Sequence, residues 1–541
     1  MKVDDRIQIT PRAETSFAPT RAYSFLLKNP KTCNRKAQAF KVFFVFLFLF
    51  ASPFIAFDSY SATQENIPLD SWVYSVIDEL YVQGFLPKLH KNIKPYTRGE
   101  IAEYLVEVGK KVEDKSLILT DYQSWLFEKL NKEFNWEIKA LGEEKNQVKY
   151  GINPYFYFTQ NRADTSWTRG KLNLEGAFQW KKRLVLKDRI TIDTKAEKET
   201  NIYGKKWGED LTGVFDASYI QLNLKHLSFL FGRDYVRFGP GQKDFLLLSG
   251  FSPPLDMLKM EGRVGKFGLL FFAAVLDRMT LKDIPFKRYF SAHCLTFKPK
   301  PWLELGASEV IVYGGEDRSI EPYYLNPILF YYGEQWNSGY DDNPLWGFDF
   351  SFTRLRNTEI YGELLVDDLQ YDFKSEPQQI GYRLGFFRAN LFNRGLLNLE
   401  YERISNWVYG QNKPYNRYTF HNIGMGSFLG PDGDFIYLNF LYHLNYDFQF
   451  GFSGEYRRKG EGGIETPQPG AVPKTKFPSG IVENTKSLQL ECLYQPNVNL
   501  MIKADLGYNQ VDNFQNQKNK NQDNLFFKLR LNYNFWSEKP F

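Results

Sequence analysis

The sequence predicts an all-β transmembrane antiparallel β-barrel that is preceded by a small α-helical domain. Aromatic residues make up 17% of the 541-residue chain. Apolar and polar side chains alternate from about residue 148 to the end, whereas helical spacing is confined to residues 66 to about 140. Aromatic side chains favour strands, and an alternation of period two gives each strand one apolar and one polar face. These observations divide the chain into residues 1–61, 66–144 and 148–541.

Residues 1–61 have the pattern of an export signal. A mostly apolar stretch, Val42–Phe57, follows a basic segment that ends at Lys41. The small residues Ser61 and Ala62 come shortly after it, and we expect signal-peptide cleavage near them. An uncleaved membrane anchor is the alternative. It is disfavoured because the stretch contains Pro53 and is shorter than the roughly 20 residues of a spanning helix.

The charge of the chain is concentrated in its first 61 residues. They hold nine Lys or Arg against four Asp or Glu, out of 68 and 63 in the whole chain. The remainder therefore carries 59 charges of each sign and is neutral. A nucleic-acid-binding domain shows a broad basic surface. Nucleic acid is accordingly not an expected partner.

Residues 66–144 carry the signals of three short amphipathic helices. Asp70 is positioned to cap the first helix, and Gly84 is positioned to end it. The two later helix starts show the capping-box spacing of Thr with Glu or Gln three residues on: Thr97 with Glu100, and Thr120 with Gln123. Apolar residues at helical spacing follow each start, so we expect one small helical bundle.

The strands predicted after residue 148 are long enough to cross a membrane. Their length is close to the roughly 9 to 11 residues that a tilted strand needs. A soluble β-sandwich also alternates, so alternation by itself leaves that fold open. The last segment, Leu525–Phe541, is amphipathic and ends in an aromatic residue. It resembles the signal by which the barrel-assembly machinery selects its clients, and this favours the membrane barrel.

The length of the chain bounds the size of the barrel. About 390 residues, at roughly 22 to 24 per strand and connection, make 16 to 18 strands. A barrel of that size encloses an aqueous lumen unless something fills it. The stretch Arg457–Ser479 is rich in Gly, Pro and Lys and shows no periodicity. We predict that it forms an extracellular loop.

The residue types that usually carry catalysis or bind metals form no recognisable set. The five histidines are His90, His226, His293, His421 and His443. None of them stands beside a Ser in a nucleophile elbow or at metal-ligand spacing from a Cys. Two cysteines of the barrel, Cys294 and Cys492, do not suggest a disulfide scaffold. We predict no catalytic residue, metal or cofactor, and an outer-membrane esterase or acyltransferase is a disfavoured alternative.

Two stretches, Phe231–Leu258 and Ser308–Phe352, interrupt the alternation. The first contains GRDYVRFGPG, LLLS and PPLDML, and the second contains SEVIVYGG, YYLNP and a DN before the next strand. In this order the motifs resemble the capsule-assembly Wzi family. The segments PLDSWVYSVIDELYVQGFLP and PYTRGEIAEYL resemble the helical part of the same family. The resemblance spans most of residues 66–355, and the later strands fit it in general pattern.

The resemblance implies a barrel of about 18 strands with a periplasmic helical bundle near its lower mouth. It also implies a non-enzymatic role in attaching or organising capsular or extracellular polysaccharide at the cell surface. The expected partners are this polysaccharide, outer-membrane lipid and the barrel-assembly machinery. The chain is expected to act as a monomer.

The second irregular stretch offers residues suited to binding sugars. Aromatic rings pack on the apolar faces of sugars, planar polar side chains bind hydroxyl groups, and Arg pairs with a uronic-acid carboxylate. The candidate ligand-binding residues are Arg318, Tyr323, Tyr324, Asn326, Glu334, Trp336 and Asn343. The competing interpretation is structural, because charged residues form ladders on the inner wall of any wide barrel and Tyr and Trp form its interfacial girdles.

The two irregular stretches also predict what occupies the lumen. Arg233, Asp234 and Arg237 crowd together just before a Gly-Pro-Gly turn, and we expect them to form an ion cluster in the lumen. The second stretch is too long to lie flat on a rim, so we expect it to plug the barrel. A diffusion porin is the alternative, since PYTRGEIAEYL also resembles part of a cell-wall-binding module. An open pore would conduct ions, whereas a plugged barrel would not.

Overall fold

A computed structural model describes most of the chain after the predicted signal peptide. The described residues are 65–141, 146–161, 166–181, 183–194, 207, 211–224, 226–368, 377–468 and 476–540. The predicted signal peptide and the terminal Phe541 lie outside them. Within the described residues, no helix is both long and apolar enough to cross a membrane.

Four helices form the first part of the described chain. They are α1 (Val73–Val82), α2 (Arg98–Glu113), α3 (Asp121–Glu133) and α4 (Asn135–Ala140). Their apolar faces pack into one core, to which the inner wall of the barrel also contributes. The sequence predicted three of these helices. The fourth is a six-residue continuation of α3 after a break at Phe134.

The helix ends follow the predicted signals at three places and depart from them at two. Thr120 and Gln123 form a complete capping box, and Gly84 takes the left-handed φ of +85° that ends α1. Thr97 accepts a hydrogen bond from the backbone of Glu100, but the Glu100 side chain pairs with Arg263. The prediction for Asp70 was wrong. Trp72 stands at the N-cap of α1 without a side-chain cap, and the Asp70 carboxylate instead accepts from the Arg189 guanidinium of the barrel wall at 3.2 and 3.4 Å.

Eighteen strands form the barrel, and each pairs antiparallel with its neighbours in sequence. They are β1 (Gln147–Asn161), β2 (Ser166–Trp180), β3 (Leu184–Asp193), β4 (Thr212–Asn223), β5 (Leu227–Asp234), β6 (Leu255–Val264), β7 (Phe267–Val275), β8 (Ile284–Lys300), β9 (Leu303–Gly315), β10 (Asn343–Phe352), β11 (Thr358–Asp368), β12 (Gln379–Leu391), β13 (Gly395–Ile404), β14 (Gly433–His443), β15 (Phe448–Lys459), β16 (Glu483–Tyr494), β17 (Leu500–Asp512) and β18, which consists of Gln522–Tyr533 and Phe535–Pro540. β18 pairs with β1 and closes the sheet. The predicted fold class is therefore confirmed.

The two faces of the barrel differ in polarity, as the alternation predicted. Exposed apolar side chains on the outer face include Leu305, Phe348, Leu384, Phe450, Leu490 and Leu506. Buried charged and polar side chains on the inner face include Lys187, Glu304, Glu363, Arg383 and Glu400. A transmembrane barrel requires this arrangement, because its outer face contacts lipid and its inner face does not.

The connections differ in length at the two ends of the barrel. At one end, which we call the short-turn end, two to five residues join consecutive strands, as at 301–302 and 353–357. At the other, the long-loop end, three connections exceed 20 residues: 316–342, 405–432 and 460–482. The predicted loop Arg457–Ser479 lies mostly in the last of these. The long-loop end therefore has most of the irregular chain.

The helical bundle sits in the mouth of the barrel at the short-turn end. Trp125 of α3 stacks on Tyr446 with a centroid distance of 5.4 Å and contacts the ring of His443. The Lys129 ammonium donates to Gln495 at 2.9 Å. Tyr446 and Gln495 both belong to short turns. The bundle is thus fixed to the turns themselves and to the wall just inside them.

A buried ionic network also joins the bundle to the wall. The Glu65 carboxylate lies 3.3 Å from the ammonium groups of both Lys149 and Lys187, and 3.6 Å from Arg98. Burial alone would raise the pKa of Glu65, but Lys187, Lys149 and Arg98 lower it to about 2. Glu65 therefore remains charged and holds strands β1 and β3 to the bundle.

Two segments meet in the lumen. Residues 89–97, the lumen segment, enter from the short-turn end, and residues 235–254, the plug loop, fold in from the long-loop end. Ile93 and Lys94 pair antiparallel with Phe238 and Arg237. The Gly239 N–H donates to the Asn92 carbonyl at 2.9 Å, which extends this pairing. The chain from one end of the barrel is thus hydrogen-bonded to the chain from the other end.

Side chains of the inner wall hold both segments in place. Lys91 of the lumen segment pairs with Glu359, and Asn92 donates to Asp349. Glu400 accepts from the backbone N–H groups of Gln242 and Lys243 at 2.8 and 2.9 Å. Backbone N–H groups away from water need hydrogen-bond acceptors. The irregular plug loop has no sheet or helix to supply them, so the carboxylates of the inner wall do.

Gly239 permits the close approach of the plug loop to the wall. Its φ is +108°, a conformation that other residues rarely adopt. A Cβ atom at this position would lie 2.8 Å from the Glu363 carboxylate. The Leu246 N–H donates to the same carboxylate at 2.8 Å. The Gly-Pro-Gly turn noted in the sequence is therefore required by the packing of the plug.

The buried carboxyl group of Glu79 should make the bundle sensitive to pH. Glu79 lies between α1 and α3 and accepts from the Tyr122 hydroxyl at 3.2 Å. Burial raises its pKa from 4.5 to about 8, although the Tyr122 hydrogen bond lowers it. The folded bundle therefore binds a proton that the unfolded bundle releases between pH 4.5 and 8. One unit of pKa difference corresponds to about 1.4 kcal/mol. We therefore expect the free energy of unfolding the bundle to fall by several kcal/mol as the pH rises through this range.

Hydrogen exchange of α1 and α3 amides at pH 5 and pH 8, corrected for the intrinsic rate, measures this effect. Glu79→Gln keeps a neutral acceptor at the position and should make the protection of both helices independent of pH. A wild-type protein whose protection is equal at the two pH values would contradict the prediction.

Candidate functional site

A cleft of about 300 Å³ opens at the long-loop end. It lies between residues 316–342, which we call the apron, and residues 405–432, which we call the rim loop. Both loops begin and end at wall strands, namely β9 and β10 for the apron and β13 and β14 for the rim loop. The lining residues are Gly314, Gly315, Glu316, Asp317, Arg318, Ser319, Glu321, Tyr340, Asp341, Asp342, Lys413, Tyr415 and Asn416.

Arg318 is the structural centre of the cleft. Its guanidinium donates to Asp342 at 2.9 and 3.2 Å and to Glu321 at 2.9 Å. It also lies over the ring of Tyr340, 3.6 Å from the ring centroid. Burial lowers the pKa of Arg318, but Asp342, Glu321 and Tyr323 together raise it above its usual value, so the group stays charged. Because its donors are engaged within the apron, Arg318 ties the two ends of that loop together.

Hydrogen bonds of Asp342 and its neighbours connect the cleft to the wall. The Tyr324 hydroxyl donates to the Asp342 carboxylate at 2.9 Å. Asn343, the first residue of β10, donates to the Asn416 carbonyl at 2.9 Å. Asn416 in turn donates to the carbonyl of Asp341 at 2.5 Å. The apron and the rim loop are thus joined at the base of the cleft.

Two tyrosine rings line the cleft and are each supported on one side. Tyr340 is 49% exposed and packs on Arg318. Tyr415 stacks on Phe286 with a centroid distance of 4.7 Å and an interplanar angle of 8°. A supported, half-exposed aromatic ring can pack against the apolar face of a sugar without first being ordered.

The charges that line the cleft are mostly negative. Five carboxylates face two basic side chains, which are Arg318 and Lys413. Arg318 is engaged with Asp342, and Lys413 lies 3.3 Å from Asp341. Carboxylates accept hydrogen bonds and repel anions. The cleft is therefore suited to a ligand that is rich in hydroxyl groups, and it is poorly suited to one with many carboxylates.

The structure separates the seven predicted ligand-binding residues into three groups. Arg318 lines the cleft, and Tyr323, Tyr324 and Asn343 lie behind it or at its base. Glu334 and Trp336 belong to α5 (Tyr331–Ser338), which packs on the outer wall. Asn326 is exposed, and its side chain accepts from the Ile328 backbone in a local turn. Their role in binding stays a prediction.

The expected lumen cluster does not form as one unit. Asp234 is buried on the inner side of β5 and accepts from Asn66 at 2.6 Å. Arg237 lies in the plug loop, where it donates to the Ser249 carbonyl at 3.0 Å. Arg233 instead shares the outer side of β5 with the exposed Phe231 and pairs with Asp256 at 2.6 Å. Successive residues of a strand point to opposite sides, and this separates Arg233 from Asp234.

The second irregular stretch lies outside the lumen, which corrects the expectation that it plugs the barrel. Tyr289, Ile311 and Tyr313 are on the outer side of β8 and β9, and the apron residues Tyr324 and Tyr331 bury them. The plug is made by the shorter first stretch together with the lumen segment. Length and aromatic content alone did not distinguish a loop that folds inward from one that folds over the outer wall.

The sequence did not indicate the part of the cleft that lies on the rim loop. Lys413, Tyr415 and Asn416 are about 70 residues from the apron in sequence. A signal was present in the segment KPYNRY, where Pro414 starts a 3₁₀ turn that carries Tyr415 into the cleft. Asp341 and Asp342 were visible as two carboxylates directly before β10. In the part of the chain that the structure describes, no group of three potential metal ligands is found.

The fold and the site together define a class of protein. The closed barrel with an apolar outer face, two chain segments in its lumen and a polar, aromatic cleft at one rim is that of an outer-membrane β-barrel. A family model, the capsule assembly protein Wzi, matches residues 135–525. The chain therefore belongs to the capsule assembly Wzi family, and the resemblance found in the sequence is confirmed.

The chain is similar to several solved structures. The chain is similar to Wzi of Escherichia coli, a carbohydrate-binding β-barrel of the outer membrane that is involved in group 1 capsule assembly. The two share 15% identity over 89% of this chain and 100% of that chain, with a TM-score of 0.56. OccD3 of Pseudomonas aeruginosa shares 10% identity over 72% of this chain and 91% of that chain, with a TM-score of 0.44. No curated protein matches the chain by sequence.

The Arg318–Asp342 pair should determine the order of the apron. Asp342→Asn leaves a buried guanidinium and the Tyr324 hydroxyl with a weaker acceptor. Breaking a buried pair of this kind costs about 3 to 5 kcal/mol. We expect hydrogen exchange of residues 316–342 to rise at least tenfold while that of the strands away from the cleft is unchanged.

Asp341→Asn is the matched control. Asp341 neighbours Asp342, but its pair with Lys413 is exposed on both sides, and exposed pairs contribute about 0 to 1 kcal/mol. The apron should keep its wild-type protection in this variant. Equal exchange in the two variants would show that Arg318 does not hold the loop.

Proposed function

We propose that this protein attaches or organises capsular or extracellular polysaccharide at the cell surface and does so without catalysis. The observation that carries the proposal is the rim cleft, in which two supported tyrosine rings stand among hydroxyl-binding carboxylates. Membership of the capsule assembly Wzi family supports the proposal. The carbohydrate binding of the Escherichia coli barrel supports it as well.

The proposal includes an orientation in the outer membrane. Barrels of this membrane have short periplasmic turns and long extracellular loops. By this rule the cleft faces the outside of the cell and the helical bundle faces the periplasm. Polysaccharide on the cell surface would then reach the cleft without entering the barrel.

The charges of the cleft define the kind of sugar that it binds. Arg318 does not offer its donors to a ligand, because Asp342 and Glu321 accept from it. The exposed acceptors are the carboxylates, such as Asp341, which bind the hydroxyl groups of sugars. We therefore infer that the cleft binds neutral or amino sugars in preference to uronic acids.

The lumen distinguishes this proposal from the diffusion porin. The lumen segment and the plug loop are paired with each other, and the charged wall binds both. Purified protein in planar bilayers should show no steady conductance. A stable open-channel current from the wild-type protein would favour the porin instead.

The cellular role is tested by deleting the gene. The mutant should release polysaccharide into the medium while its synthesis continues, because the attachment step alone is lost. The measurement is the ratio of cell-bound to released polymer. A mutant that keeps its normal share of bound polymer would contradict the proposal.

Binding is tested with purified protein and the strain's own polysaccharide. Tyr340→Ala with Tyr415→Ala removes both rings of the cleft and should weaken binding at least tenfold, since tenfold corresponds to about 1.4 kcal/mol. Phe392→Ala is the control, because Phe392 is 73% exposed but lies in a short turn at the other end of the barrel. Equal weakening by both changes would place the binding site elsewhere.

A further inference from the structure

Polar side chains form a row on the outer face of the barrel, where apolar residues are expected. His293 of β8 is directly opposite Glu309 of β9, and Glu309 is directly opposite Trp346 of β10. Glu309 is only 4% exposed. A carboxylate on the lipid-facing side of a barrel is costly unless other groups bind and cover it. The covering group here is the apron.

The start of helix α5 binds the Glu309 carboxylate. The backbone N–H groups of Tyr331 and Tyr332 donate to it at 2.8 and 2.9 Å, and the Trp346 indole donates at 2.9 Å. The His293 ring lies 3.4 Å away. The first N–H groups of a helix have no partner within the helix and favour a negative charge. Glu309 therefore holds α5 against the outer wall.

The apron covers the upper rows of the outer face and leaves the rows below open. Ile311 and Tyr313, above Glu309 on the same side of β9, are at most 1% exposed. Leu295 and Phe348 belong to the next row below, and each is 47% exposed. Rows on one side of a strand are two residues apart, or about 6.6 Å. The apron thus begins within one row of the open apolar surface.

The side of the apron that faces away from the barrel is itself apolar. Ile328, Phe330 and Trp336 are exposed by 74%, 56% and 72%. Phe330 stacks on Trp346 with an interplanar angle of 18°, which links it to the wall. These side chains continue the apolar outer surface of β8–β10 towards the rim. Trp and other aromatic residues are enriched where acyl chains meet headgroups.

We propose that the apron lies in the outer leaflet of the membrane, where Ile328, Phe330 and Trp336 contact lipid at the boundary between acyl chains and headgroups, and that Glu309 anchors it there. The continuity with the lipid-facing strands identifies lipid as the partner. The inference depends on the barrel being in a membrane and is independent of sugar binding. It gives the apron two sides, one towards the cleft and one towards lipid.

A nitroxide label tests the depth of the apron. The protein is reconstituted in phospholipid vesicles with Cys33 and Cys492 replaced by Ser, and the remaining Cys294 is only 1% exposed. A label at Ile328→Cys should collide with oxygen more than with a water-soluble nickel complex, as should a label at the lipid-facing Leu488→Cys. A label at Ile320→Cys, in the same loop but next to cleft-lining residues, should favour nickel.

The same measurement identifies outcomes that overturn the proposal. A label at residue 328 that is as accessible to nickel as the label at residue 320 would place the apron in water. Protection from nickel in native outer membranes but not in vesicles made from the lipids of those membranes would assign the surface to a protein partner. Either result excludes lipid as the partner while leaving the sugar-binding proposal untouched.

Glu309→Gln tests the anchor. The change keeps the size of the side chain but removes its charge, so the label at residue 328 should become more mobile and at least threefold more accessible to nickel. Glu316→Gln, an exposed residue at the start of the apron, is the control and should change neither quantity. Heat-modifiable migration on gels confirms that each barrel is folded. An unchanged label in the Glu309→Gln barrel would show that the carboxylate is not the anchor.

Discussion

The closed ladder of backbone hydrogen bonds is the constraint on which the rest of the structure depends. Within lipid every backbone N–H and carbonyl needs a partner in the protein, and the pairing of β1 with β18 provides the last of these. Eighteen strands make a wide barrel whose inner wall is charged. That wall needs counterions and partners, and the helical bundle, the lumen segment and the plug loop supply them. Lys91 against Glu359 and Lys187 against Glu65 are examples at two different depths.

On the outer surface, too, polar groups need partners within the protein, because the surrounding solvent there is lipid. Apolar side chains cover most of it, and its polar row at Glu309 is covered by a loop whose helix start supplies the donors. The carboxylate on that side of β9 and the apron thus stabilise each other. Through Arg318 and Asp342 the same loop also shapes the rim cleft. One segment of 27 residues thus connects the membrane surface to the candidate binding site.

The sequence predicted those features that depend on local pattern. Period-two alternation gave the barrel and its two faces, and the Thr120–Gln123 spacing gave a complete helix cap. Features that depend on distant partners were not predictable. Asp70 stands where the sequence pattern predicts a helix N-cap, but its carboxylate pairs with Arg189, which is about 120 residues away. The direction in which the apron folds depends on Glu309, whose position on the outer side is defined only by the register of β8, β9 and β10.

The position of the seam has a consequence for the order of assembly. The barrel closes between strands at the two ends of its sequence, with Tyr155 opposite Asn532, so closure depends on the contacts that are longest in sequence and form most slowly. The lumen segment precedes β1, while its partners Arg237, Asp349 and Glu359 all lie before β12. An open, curved sheet can wrap around this segment before the seam forms. Once the seam is closed, removing the segment requires passage through the mouth that the bundle occupies, so the bundle has to leave that mouth before the segment can.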